Sequence, residues 1–232
     1  MIIAIGGEKG GVGKTTLALH LAYLLTRCGQ DTLLVDADPQ GTASTFCAAR
    51  DQNDGQSRIQ TVMKTGAGVA RSVRDLAAKF EHIVIDTGGR DTAELRQAML
   101  VADQVVLPIT PTAFNWWTLE RMDELIGEIS LQNEALQAFV LLNNVPSNWT
   151  LTQQVVSTAI EKIEASGFKH LGRLNAFLIN RSIYGMNEEV GRTVFEPRLK
   201  DGKTDEKAQT EMTTVFREIA GDDIAAQLGT AA

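Results

Sequence analysis

Ten consecutive residues near the start of the chain, Gly7-Glu8-Lys9-Gly10-Gly11-Val12-Gly13-Lys14-Thr15-Thr16, combine glycines, lysines and hydroxyls in an order suited to anion chemistry. Glycines let the backbone curl closely enough for several N–H groups to face one phosphate, and a helix starting after the loop adds the positive end of its dipole. Lys14 would reach the β- and γ-phosphates as a point charge, and the Thr15 hydroxyl would complete the shell of a Mg²⁺. Two carboxylate segments could serve the same chemistry. In Asp36-Ala37-Asp38-Pro39-Gln40-Gly41 two carboxylates stand two residues apart. One could hold Mg²⁺ through water while the other orients the attacking water, and the segment alone leaves open which does which. In Ile83-Val84-Ile85-Asp86-Thr87-Gly88-Gly89-Arg90-Asp91 an apolar run ends on an aspartate. Asp86 would lie near the Mg²⁺, with Gly88 and Gly89 offering N–H groups to the γ-phosphate.

These groups need a frame that brings them to one edge. Apolar runs at Ile2–Ile5, Thr32–Val35, His82–Ile85, Gln104–Pro108, Phe139–Leu142 and Ala176–Ile179 are near-continuous, as in strands of a parallel sheet covered on both faces. Between them lie helical stripes: Leu17, Leu21, Leu24 and Leu25, closed by Gly29; Leu119, Met122, Leu125, Ile126 and Ile129; Val155, Val156, Ala159, Ile160 and Ile163. Met212, Val215, Phe216 and Ile219 mark a terminal helix. The alternation predicts an α/β fold, a single-domain, doubly wound, mostly parallel sheet over residues 1–232. The polar stretch Asp51–Gln60 and the charged stretch Lys200–Lys207 read as surface loops. In such a sheet ligands bind beyond the carboxyl ends of the strands, where all three motifs fall.

The loop departs from the general phosphate-loop pattern: Glu8 stands where its first glycine belongs, and Lys9 follows. In this the segment resembles the deviant Walker A motif, KGGVGKT, of the ParA/MinD family of P-loop NTPases, and DADPQG resembles that family's first switch segment. The resemblance implies an ATPase that uses ATP/ADP and Mg²⁺. It implies nucleotide contacts from Gly10, Gly11, Val12, Gly13, Lys14, Thr15, Thr16 and Gly88, and metal contacts from Thr15, Asp36 and Asp86. Lys14 would act in cis, Lys9 would reach across a homodimer that closes on ATP, and Asp38 would position the hydrolytic water. By the same resemblance Asn143, with Asn144 as alternate, would bond the adenine edge, and Asn180 and Arg181 would line the base. Where most relatives carry DTPP after the third strand run, this chain has DTGG, which makes the second switch more permissive in backbone angle. The closest likeness is to small ParA-type partition ATPases. It implies non-specific DNA binding gated by ATP, a ParB-like or other adaptor that stimulates slow hydrolysis, and a cytoplasmic chain that associates with the nucleoid when ATP-bound. A metabolic ATP-dependent enzyme of the same superfamily and a nucleotide-sensing adaptor stay open as alternatives.

Composition narrows these classes. Over 232 residues, 22 Lys+Arg against 29 Asp+Glu give a formal charge of −7, which argues against a permanent nucleic-acid clamp. A candidate basic patch (Arg173, Arg181, Arg192, Arg198, Lys200, Lys203 and Lys207) is diluted by Glu196, Asp201, Asp205 and Glu206, so any DNA contact needs a dimer to double it. Two cysteines, Cys28 and Cys47, are too few for a disulfide framework and wrongly placed for a shared iron–sulfur cluster. No apolar run reaches membrane-span length; with Met1 leading straight into a strand run, neither a signal peptide nor preceding DNA-binding helices are expected, and the acidic tail Gly221–Gly229 is unsuited to a membrane surface. His20, His82 and His170 stand singly, away from metal-ligand spacing, and Trp116-Trp117 is expected to bury at least one ring.

Overall fold

The computed structural model describes residues 1–7, 10–53, 58–89, 92–111, 113–198 and 201–229. The first half runs β1 (Ile2–Ile5), α1 (Lys14–Arg27), β2 (Thr32–Asp36), α2 (Thr42–Gln52), β3 (Gln60–Met63), α3 (Val69–Ala77), β4 (His82–Asp86) and α4 (Ala93–Met99). The second half runs β5 (Gln104–Ile109), α5 (Ala113–Ser130), β6 (Gln137–Val145), α6 (Trp149–Ser166), β7 (Leu171–Ile179), α7 (Ser182–Glu188), α8 (Glu206–Ala220) and the short α9 (Asp222–Ala225). The described strands form one sheet of order β3-β2-β4-β1-β5-β6-β7, and every neighbouring pair is parallel. The doubly wound α/β expectation is met.

Every residue of β2 and β4 is buried, as continuous apolar runs require when helices cover both faces. One face packs Leu17, Leu21 and Leu24 of α1, Phe46 of α2 and Met212, Val215 and Phe216 of α8 against the sheet. The other packs Val73 of α3, Leu95 and Ala98 of α4, Leu119, Met122 and Ile126 of α5 and Ala159 and Ile163 of α6. Neighbouring β1 and β4 thus lead into helices on opposite faces, α1 and α4, and the crevice opens between them at their carboxyl ends. Gly29 closes α1 with φ of +76°; its N–H donates to Thr26 O (3.0 Å), while Gln30 N–H reaches back to Leu25 O (3.1 Å), the paired bonds of a Schellman cap.

Three strands and two helix ends differ from the sequence expectation. β3 lies in the segment read partly as loop: Gln60-Thr61-Val62-Met63 is a short sheet edge, half exposed, so it carries no apolar run to read. β6 and β7 start two and five residues before the runs expected for them; β7 is the opposite edge, and of its first five residues Leu171 and Leu174 alone are buried. The two presumed loops are shorter than expected, since α2 continues through Gln52 and α8 starts at Glu206 behind an Asp205 side chain that accepts from Ala208 N–H (3.0 Å). The free β7 edge is covered from α8: Glu218 accepts from the N–H groups of Asn175 (2.7 Å) and Ala176 (2.8 Å).

Candidate phosphate and metal site

Strand register alone aligns the site. Asp36 of β2 pairs with Asp86 of β4, and Asp86 pairs with Ile5 of β1, so both carboxylates end their strands level with the exit into the glycine-rich loop. Thr87 locks this row, since its N–H (3.1 Å) and hydroxyl (2.9 Å) both donate to Ile5 O.

Gly7, Gly11 and Gly13 take φ of +134°, +72° and +87°, which bends the loop round the start of α1. Gly13 is required twice over: it holds a left-handed conformation, and a Cβ there would lie 2.3 Å from Asn143 Nδ2. No side chain caps α1, so its first-turn N–H groups stay available at the positive end of the dipole. Lys14 opens the helix at 7% exposure. Burial lowers its pKa, and the charges of Asp86 and Asp38 offset part of that.

Asp86 is fully buried, and neither carboxylate oxygen finds a partner of full hydrogen-bond geometry. Desolvation pushes its carboxyl up to about 7, although the nearby Thr15 hydroxyl and Lys14 ammonium pull it down. An orphaned buried carboxylate beside a hydroxyl fits a hard cation. Among the described residues no three His, Cys, Asp or Glu converge into a complete cage. The fit is therefore to Mg²⁺, which keeps waters and shares phosphate oxygens, more than to a metal held by protein alone. Asp36, also fully buried, uses its oxygens on the loop that follows it, accepting from Asp38 N–H (3.3 Å) and Ser44 N–H (2.8 Å). Asp38 is half-buried; its Oδ1 accepts from Gln40 N–H (2.9 Å), and its carboxyl group would lie 3.4 Å from a Cβ at Gly88. The two loops expected to sense the γ-phosphate thus touch at Asp38 and Gly88, where a side chain would crowd the carboxylate.

Beside the phosphate loop a cavity of about 210 Å³ brings together Gly11, Gly13, Thr16, Asn143, Asn144 and Arg181. Asn143 Nδ2 donates to Val12 O (2.7 Å), so its amide N–H₂ holds the loop. Asn144 takes φ of +55° at a β6 irregularity and donates weakly to Thr110 Oγ1 (3.5 Å). Arg181 pairs with Glu211 through Nη2 (2.5 Å) and Nε (3.1 Å). Asn180 is exposed and does not line this cavity; its backbone N–H goes to Val145 O (2.8 Å). Lys9, Arg90 and Lys200 lie outside the described residues, as does the side chain of Trp116. Trp117 is 74% exposed and Trp149 is 73% exposed.

Two contacts join residues too distant in sequence for any pattern to link. The Thr16 hydroxyl donates to Glu188 Oε1 at the end of α7. Arg50 of α2 forks onto Glu196 (2.7 and 2.9 Å), both 1% exposed, with Arg50 also donating to Gly191 O and lying 5.0 Å from the Tyr23 ring centroid. Three arginines of the candidate basic patch are paired with acids. Arg173 meets Glu164 (3.1 Å), Arg181 meets Glu211, Arg198 meets Asp201 (3.0 Å), and Arg192 donates to Pro197 O (2.7 Å). His20 is held at both ring nitrogens, by Thr16 O (2.7 Å) and Val194 N–H (3.1 Å), in a structural role. Cys28 and Cys47 are buried free thiols, each pushed up to about 11 by desolvation, hence inert. No described helix is long and apolar enough to cross a membrane.

The family described as CobQ/CobB/MinD/ParA nucleotide binding domain matches residues 3–177. The maintenance of carboxysome distribution protein A of Gloeobacter kilaueensis is 36% identical over 111 residues, 47% of this chain and about half (49%) of that relative. The chromosome partitioning protein ParA of Myxococcus xanthus is 27% identical over 197 residues, 67% of this chain and 69% of its own. Among solved structures, the Aquifex aeolicus MinD cell division protein superposes with a TM-score of 0.70 at 17% identity, over 95% of this chain and 97% of its own. Cobyrinic acid a,c-diamide synthase of Mycobacterium smegmatis, solved with bound ADP and magnesium, superposes at 0.58 and 18% identity, over 69% of this chain and 81% of its own. At these identities the two superpositions speak for the fold.

Proposed function

The chain belongs to the CobQ/CobB/MinD/ParA nucleotide binding domain family, and from that premise we propose that it is a Mg²⁺-ATP-dependent ATPase of the ParA type that partitions or positions a cargo. The observation that carries this reading is Asp86, a fully buried carboxylate with no partner of full hydrogen-bond geometry, set level with Asp36 and beside the uncapped start of α1. Structure of that kind is expensive for a scaffold and suited to a cation that accompanies phosphate.

In this reading the N–H groups of Gly10, Gly11, Val12 and Gly13 and the first turn of α1 cradle the phosphates, and Lys14 neutralises their charge from the same chain. Thr15, Asp36 and Asp86 would hold Mg²⁺, directly or through water, and the ion would supply positive charge against the phosphates. Asp38 orients the hydrolytic water from the switch loop, while Gly88 keeps the opposite wall free of side chain. Lys9 reaches a partner protomer's phosphates, so that ATP closes a homodimer. Intrinsic turnover is slow, and an adaptor protein accelerates it. The nearly neutral patch around Arg181 and Arg198 becomes a non-specific DNA contact when two copies present it together, which puts the protein in the cytoplasm and on the nucleoid in its ATP state.

Phosphate release by the purified full chain with Mg²⁺-ATP tests the core of this reading. Asp38→Ala should lower turnover about 100-fold or more while leaving ATP binding in place; release at the parental rate removes Asp38 from the mechanism. For the DNA part, retardation should require ATP and weaken steeply with salt. Equal retardation with ATP and ADP rejects the gating.

A further inference from the structure

The first turn of α1 divides the site in two. Thr15 lines a cavity of about 270 Å³ with Gln40 and Thr42 of the first switch, on the side of Asp86. Thr16 lines the cavity of about 210 Å³ with Asn143, Asn144, Arg181 and Tyr184. Glu188, the last residue of α7, lines both and accepts a hydrogen bond from the Thr16 hydroxyl.

With terminal phosphates held by Lys14, Thr15 and Asp86, the nucleoside must extend toward Thr16. The polar groups waiting there are largely committed: the Asn143 N–H₂ to Val12 O and the Arg181 guanidinium to Glu211. Glu188 is different in kind, because it is a carboxylate in a site built for anions. An ionised carboxylate accepts hydrogen bonds and donates none, so it repels phosphate oxygens, and its good partners on a nucleotide are the O–H donors of the sugar and the N–H donors of the base; bonded to Thr16, one residue past Thr15, it stands where the sugar follows the phosphates. Two adjacent hydroxyls match its two oxygens, the same chemistry by which an acidic residue holds a ribose in dinucleotide folds. Resting on the adenine-nucleotide reading of the site, we propose that Glu188 binds the ribose diol and makes the site selective for ribonucleotides over deoxyribonucleotides. Thr16 is then a positioning residue, holding one oxygen of the carboxylate. Burial pushes the Glu188 carboxyl up and the Thr16 bond pulls it back, and two more hydroxyl donors favour the charged form further.

Calorimetric titration of the full chain with Mg²⁺ and ATP, 2′-deoxy-ATP or 3′-deoxy-ATP tests this. The parent should bind ATP about tenfold or more tighter than either deoxynucleotide, and Glu188→Ala should bring the three within about threefold, chiefly by weakening ATP. Glu188→Gln, which keeps the size and one acceptor, should fall between, and it serves alone if the alanine variant melts below the assay temperature. A parent that does not discriminate, or a variant that keeps the parental ratio, overturns the proposal. So does a variant that binds all three nucleotides more tightly by one factor, which would make the carboxylate a mere repellent of phosphate. If the parent binds none of the three, it is the adenine-nucleotide reading that fails, and the ribose proposal falls with it.

Discussion

Two carboxylates, Asp86 and Glu196, are both fully buried and meet opposite fates. Glu196 receives the Arg50 fork, the Thr193 N–H (2.9 Å) and the Thr193 hydroxyl (3.0 Å), and these partners hold its pKa below the usual carboxylate range despite burial. Asp86 receives nothing of full hydrogen-bond geometry, and burial drives it up to about 7. The first is a rivet: it ties α2, which follows the switch loop, to the loop before α8. The second is a socket. A buried charge with every partner in place serves the scaffold, whereas one left without partners is held for something that arrives later.

That contrast can be broken most forcefully at the rivet. Arg50→Met removes the guanidinium from a buried Glu196 that keeps its Thr193 donors, and should cost about 3–5 kcal/mol in denaturant unfolding. Arg50→Met combined with Glu196→Leu should recover most of that loss, because the pair as a whole contributes much less than either orphan costs. A double variant as unstable as the single one would mean that α2 is held by something other than charge.

A smaller effect is expected at the rim of the socket. Gly13→Ala forces a side chain into φ of +87° and against Asn143 Nδ2, at a cost of about 2 kcal/mol. Adding Asn143→Ala should relieve the crowding and leave the backbone strain, so thermal melts of the two variants should differ in that direction.

The remaining and most telling effect has the opposite sign. Because the folded-state pKa of Asp86 lies above its unfolded value of 3.8, the folded chain holds a proton that the unfolded chain has released. Stability from this group is therefore present at low pH and lost as pH rises from about 4 through about 7. Asp86→Asn should raise the metal-free melting point at pH 8 by a few degrees and leave it nearly unchanged at pH 4, while weakening Mg²⁺-nucleotide binding. A variant that melts lower than the parent at pH 8 would show that Asp86 has partners after all.

Much of the fold was legible because its central strands are covered on both faces and so announce themselves as unbroken apolar runs. β2 and β4 follow this rule, and their register then places Asp36 and Asp86 side by side. β3 and the first half of β7 were illegible for the same reason, being edges whose residues are mostly exposed or half exposed. Within the candidate site, Gly13, Lys14 and Thr15 could be named from their consecutive order in a glycine-rich turn, and Asp38 and Asp86 from their places at or just past strand ends. Asn143 could be named but not placed: sequence suggests an amide near a base, and packing turns its N–H₂ onto the carbonyl of Val12.

By itself the sequence determined what local chemistry determines: the glycine-rich turn, the lysine and hydroxyl at the helix start, the carboxylates at strand ends, and the strand–helix alternation that sets them on one edge. Tertiary structure alone decided which of these groups have partners. Thr16 and Glu188 are 172 residues apart, and Arg50 and Glu196 are 146. Their meeting depends on how α7 and the loop before α8 fold back over α1 and α2, and no short-range pattern encodes a contact of that reach. Burial is likewise a property of the whole fold. It made one aspartate a socket and one glutamate a rivet, although both are ordinary acidic residues in the chain.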